Sequence, residues 1–104
     1  QATDWPQIEA LYHVLHDIHP SPVVRMNQAV AVSYARSPDA ALTMLDDAAG
    51  NGTLDAYQPY FAARADVLAR AGRTEDARTC FNTAIDLSDN RLERAFLRDK
   101  IAQL

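Results

Sequence analysis

His13, His16 and His19 recur at every third residue, and His13 with Asp17 forms an i, i+4 pair of the kind that can hold a transition-metal ion. At about 100° per residue His16 and His19 diverge around a helix, and no Cys or Glu nearby completes a ligand set. A partly exposed helix face is the simpler reading, and no metal is expected. Cys80 sits beside Phe81 on a stripe with Ala77 and Ala84, so a buried, inert thiol is expected there. Arg91, Arg94 and Arg98 recur at i, i+3 and i+7 and make a basic stripe that Glu93 and Asp99 dilute. Arg64 lies on a helix whose Phe61, Ala65 and Leu68 should be buried, so its guanidinium needs a carboxylate or carbonyl partner. No nucleophile elbow, Walker loop or dinucleotide glycine motif occurs. Nothing in these residues asks for catalysis or a cofactor, and a non-enzyme is expected.

The elements that position these residues belong to a chain of 104 residues, 48% hydrophobic and 23% charged, with three Gly and five Pro. That is the balance of a single globular domain covering residues 1–104. A domain of this size hides roughly 65% of its unfolded surface, enough for a core but not for a deep catalytic cleft as well. The net charge of -4 repels phosphate, so direct DNA binding is not expected. A lone cysteine closes no disulfide within the chain. The longest strongly apolar run, Ala29 to Val32, is far short of the roughly 20 residues that span a bilayer, and the polar start from Gln1 to Asp4 is no signal peptide. The cytoplasm is the default location, without a membrane partner. No initiator Met is present, which points to a fragment of a longer protein.

Six segments carry helical periodicity and none alternates with a period of two, so the expected class is all-α. Helix one starts at Asp4, with Gln7 as capping-box partner, buries Trp5, Ile8, Leu11, Tyr12, Leu15 and Ile18, and ends before Pro20. Ser21-Pro22 and Ser37-Pro38 start helices two and three, which run to about Ala35 and Ala49. Gly50-Asn51-Gly52 separates them from a fourth helix, from about Tyr57 to Ala71, which Gly72 caps in the left-handed conformation. Helix five starts at Thr74 and ends near Leu87; helix six starts at Asn90, with Glu93 as capping-box partner, and runs to the C-terminus. Short loops force neighbouring helices antiparallel.

A shift of 36 residues places Ala29 on Ala65, Ala41 on Ala77, Leu45 on Phe81 and Ala48 on Ala84. This pattern resembles the tetratricopeptide repeat, with Phe61 at the early aromatic position, Gly72 at the turn, and Asp89 where the family usually has Pro. The resemblance implies an antiparallel helix-pair solenoid of about six helices. Helix one stands as the second helix of a preceding repeat, and helix six as a solvent-facing cap. It also implies that Val23, Met26, Val30, Ser33, Ala62, Asp66 and Arg70 line a concave face. Met26 and Val30 stand where the family's peptide-carboxylate clamp has polar residues, so the groove is either apolar and open or already filled by a helix.

The strings DWPQIEALYHVL, PSPVVRMNQAVAV, YQPYFAARADVLARAGRTEDAR and NRLERAFL, in that order, resemble the C-terminal extension of one group of bacterial extracytoplasmic-function RNA polymerase sigma factors. Gln28 and Phe61 depart from that group, which tends to have Arg and His there. The resemblance implies a regulatory domain without an active site, which modulates transcription initiation through contacts with the sigma core, the polymerase or another regulator. Its candidate protein-interaction residues are Met26, Val30, Tyr57, Tyr60, Arg64, Asp66, Arg91, Arg94 and Arg98; Arg25 and Asn27 share the specific strings but read as structural. The alternatives are a stand-alone tetratricopeptide adaptor for an unrelated protein partner, and a small metal-responsive sensor built on the histidines.

Overall fold

The computed structural model describes residues 3–104, and all but one of its helices begin at a side-chain cap or with a proline in the first turn. In α1 (Trp5–Ile18) the Asp4 carboxylate accepts from the Gln7 N–H at 3.1 Å. In α2 (Pro22–Ala35) and α3 (Pro38–Ala48) the hydroxyls of Ser21 and Ser37 accept from Val24 and Ala40 at 3.4 and 3.1 Å. Next come α4 (Gln58–Arg70), with Pro59 in its first turn, α5 (Thr74–Leu87), which lacks a side-chain cap, and α6 (Arg91–Ala102), capped by Asn90. The described residues are all-helical: they form these six helices and no strand.

Two compact units result, one ending at Asp55 and one beginning at Ala56. In the first, α2 packs against both α1 and α3, and Arg36-Ser37 is the only link between α2 and α3. Its buried residues include Met26, Ala29, Val32, Ala41, Leu45 and Ala48, with Leu54 contributed by the segment after α3. In the second, α5 packs against both α4 and α6. Tyr60, Ala65, Leu68, Ala77, Phe81, Ala84 and Leu97 are buried there.

All eight residues paired by the 36-residue shift are buried. Alanine at six of those places lets helix backbones approach closely, and Leu45 or Phe81 fills the remaining space. The turn between α4 and α5 rests on Gly72, at φ +80°. Its N–H donates to Ala69 C=O at 3.1 Å while Arg73 N–H donates to Leu68 C=O at 2.9 Å, the paired bonds of a Schellman cap.

The structure corrects four local expectations. The apolar stripe of α1 splits: Trp5, Ile8 and Tyr12 are half-buried, but Leu11, Leu15 and Ile18 are exposed, and α1 has no fully buried residue. Met26 and Ser33, expected on an open concave face, are buried, because α2 lies between α1 and α3. Cys80 is half-buried rather than enclosed. At the start of α6 the capping is relayed: Glu93 N–H donates to Asn90 Oδ1 at 2.9 Å, whereas the Glu93 carboxylate accepts from the Ser88 hydroxyl at 2.7 Å. Ser88 Oγ in turn accepts from Asn90 N–H at 3.2 Å, so a buried serine stands between the two halves of the expected reciprocal box.

Candidate docking surfaces

Four side chains tie α1 to α2 and the residues that flank it. The Trp5 ring stacks on Tyr34 with centroids 4.3 Å apart and planes 15° from parallel. Glu9 pairs with Arg36. His13 Nδ1 lies 3.5 Å from Gln28 Nε2, and His16 Nδ1 accepts from the Ser21 N–H at 3.3 Å. On a helix these four positions fall within an arc of about 80°. Leu11, Val14, Leu15 and Ile18 occupy the opposite arc, about 100° wide, and are 59%, 52%, 51% and 75% exposed. The i, i+3, i+4, i+7 spacing that usually marks a core-facing stripe therefore points to solvent.

Beneath α1 a chain of polar groups crosses the first unit. Asp47 of α3 accepts from Arg25 Nε at 3.4 Å, Arg25 Nη1 donates to Gln28 Oε1 at 3.1 Å, and Gln28 approaches His13, whose Nε2 is 3.5 Å from Asp17. Gln28 is buried, so its amide needs those partners. Arg25 and Asp47 also border an open cavity of about 400 Å³ with His16, Pro22 and Asn51, where their opposite charges offset each other. Asn27 is half-buried on α2. The three histidines thus part company: His13 faces Asp17 and Gln28, His16 serves the chain entering α2, and His19 is the exposed C-cap of α1. Among the described residues no group of three or more His, Cys, Asp or Glu is placed to share a metal ion.

The remaining candidates fall into separate settings. Met26 is buried and Val30 half-buried on α2. In the second unit Tyr57 is the partly exposed N-cap of α4. Tyr60 is buried, edge-on to Phe61 at 5.2 Å, and its hydroxyl accepts from Arg64 Nη1 at 3.3 Å. Asp66 pairs with Arg70 at 3.2 Å along the same helix. Arg64 also borders a cavity of about 240 Å³ with Arg73, Asp76 and Cys80. Burial pushes the Cys80 thiol above its ordinary pKa, and the nearby Arg64 guanidinium opposes the rise without cancelling it. Such a thiol is a poorer nucleophile at neutral pH than a free one.

On α6, Leu92 and Phe96 are 81% and 59% exposed, while Leu97 is its buried anchor to the second unit. Arg91, Arg94 and Arg98 come together with Asp89 around a cavity of about 350 Å³. Sequence reasoning found the stripe but not the cavity. It missed the outward turn of α1 and the buried role of Gln28 altogether, for which a glutamine among small and apolar residues was the available signal.

Compared with known proteins, the chain matches no family model and no solved structure. An uncharacterized protein of Rhizobium meliloti (strain 1021) is 40% identical to it over 104 residues. That match covers 100% of this chain and 24% of the other, so the chain spans about a quarter of the length of its curated relative. No helix among the described residues is long and apolar enough to cross a membrane.

Proposed function

We propose that this chain is the C-terminal, tetratricopeptide-like part of an extracytoplasmic-function sigma factor. It is a non-catalytic regulatory domain acting in the cytoplasm by docking α1 against a helix of the sigma core in its own parent polypeptide. The observation that carries the docking is the exposed stripe of Leu11, Val14, Leu15 and Ile18 on a helix whose other face is already occupied. An apolar helix face of this width is the half of a helix-to-helix contact that an amphipathic partner completes. The repeat reading is supported by burial of all eight residues paired by the 36-residue shift. A parent longer than this chain is supported by the relative, of which the matched part is 24%. The sigma-factor reading itself rests on the four sequence strings.

Two measurements test it. The coding sequence upstream of Gln1 should encode a polymerase-binding region and a helix-turn-helix. In run-off transcription with core polymerase, the parent carrying Leu11→Glu and Leu15→Glu should lose promoter-specific output although its melting temperature is unchanged. An upstream region without those elements would overturn the sigma-factor reading, and unchanged output would overturn the docking of α1.

A further inference from the structure

The chain has nine arginines, and six of them have side-chain partners: Arg25 with Asp47, Arg36 with Glu9, Arg64 with Tyr60, Arg70 with Asp66, Arg73 with Asp76 and Arg78 with Glu75. Among the described residues the side chains of Arg91, Arg94 and Arg98 make neither an ion pair nor a hydrogen bond, and these three line one cavity of about 350 Å³. Only one carboxylate, Asp89, shares it, which leaves a formal excess of two positive charges in a chain whose net charge is -4. The nearby Glu93 does not line this cavity; its carboxylate accepts from the Ser88 hydroxyl instead of from an arginine.

Three features make this arrangement unfavourable in the free protein. Like charges at i, i+3 and i+7 share one helix face and repel. Arg91 is the first residue of α6 and Arg94 the fourth, where the helix dipole disfavours cations. Arg94 Nε is stripped of solvent and has no acceptor. An oxyanion relieves the first two. It neutralises the excess charge, lies at the favourable end of the dipole, and can accept from the guanidinium edges of Arg91 and Arg98, which are exposed.

We infer that Arg91, Arg94 and Arg98 form a binding site for a small phosphorylated ligand carrying two linked phosphoryl groups. Two phosphoryl groups offer enough acceptor oxygens for three guanidinium forks, and the cavity lies at the small end of the usual ligand range of about 300–1,000 Å³. An extended polyanion such as duplex DNA would instead meet the negative charge of the rest of the chain. The site is independent of the docking proposed for α1, which lies in the other unit.

Inorganic pyrophosphate is the probe, titrated calorimetrically into the 104-residue chain, with sodium chloride at matched ionic strength and a short DNA duplex as controls. Saturable binding is expected, with a rise in melting temperature that chloride does not reproduce. Arg91→Gln and Arg98→Gln should each weaken it about tenfold or more, the loss of a charge-assisted hydrogen bond. Both positions are exposed, so neither substitution should lower the melting temperature of the free chain, and relief of repulsion should raise it. Absence of saturable binding, an equal effect of chloride, duplex binding in place of pyrophosphate, or unchanged affinity in both variants would each overturn the assignment. A fall in the free melting temperature of both variants would also overturn it, by showing that the arginines hold the fold.

Discussion

Replacing Leu11 and Leu15 together by glutamate separates docking from folding on α1. The two side chains are 59% and 51% exposed, so the pair presents about one whole leucine to solvent. Burying that much apolar surface against a partner contributes about 1.5–3 kcal/mol, and burying an unpaired carboxylate costs further. Glutamate is as good a helix former as leucine, and an exposed substitution of this kind changes stability by about 0.5 kcal/mol or less. The expected outcome is an unfolding free energy, from a urea melt, within about 1 kcal/mol of the unsubstituted chain for the two changes together. Affinity for the remainder of the parent polypeptide, supplied as a separate protein and measured by calorimetry, should fall at least tenfold, the equivalent of about 1.4 kcal/mol. A loss of more than about 1 kcal/mol in the melt would refute the reasoning, since it would mean that the stripe is packed within the chain. So would unchanged affinity, since it would mean that the partner docks elsewhere.

Other substitutions probe the packing and the caps. Ala77→Leu adds three carbons at a fully buried alanine and should cost about 1–3 kcal/mol in a denaturant melt; a neutral effect would displace the repeat register. Gly72→Ala should cost about 1–2 kcal/mol from backbone strain alone, because a Cβ there meets nothing within 4 Å. Ser88→Ala removes the relay between Asn90 and Glu93 and should cost about 1–2 kcal/mol, measured as loss of helical ellipticity and midpoint. Because the folded Cys80 pKa is raised, the neutral thiol is the form that folding favours, so its contribution is present below the unfolded pKa and lost as pH rises through the folded one. Iodoacetamide labelling across a pH series should therefore have a more alkaline midpoint in the native chain than in urea, and Arg64→Gln should move it further up.

Helix boundaries were legible because they are local. Asp4, Ser21, Ser37 and Asn90 each satisfy a first-turn N–H, and Gly72 supplies the positive φ that ends α4, none of which needs a neighbour. The buried alanines were legible because two copies of one packing problem stand 36 residues apart. The sites were less so. Met26 reads as a groove residue only if α2 has an open side, and packing of both α1 and α3 against α2 removes that side. The cavity among Arg91, Arg94 and Arg98 depends on what lies beside α6, which the i, i+3, i+7 spacing does not reveal.

α1 shows how a correct period can mislead about direction. It carries two stripes of helical spacing, one with Trp5, Ile8, Tyr12 and the polar Glu9, His13 and His16, the other purely aliphatic. By transferred apolar area alone the aliphatic stripe is the better one to bury. Yet rotating α1 to bury it would separate Trp5 from Tyr34 and Glu9 from Arg36, and would take His13 away from the buried Gln28 amide. An unsatisfied buried amide costs about 1–3 kcal/mol, an amount comparable to a leucine left exposed. The polar and aromatic partners on α2 thereby fix the rotation of α1. The four aliphatic side chains stay outside because α2 has already been matched to the other face, and a docking surface is the consequence of that matching.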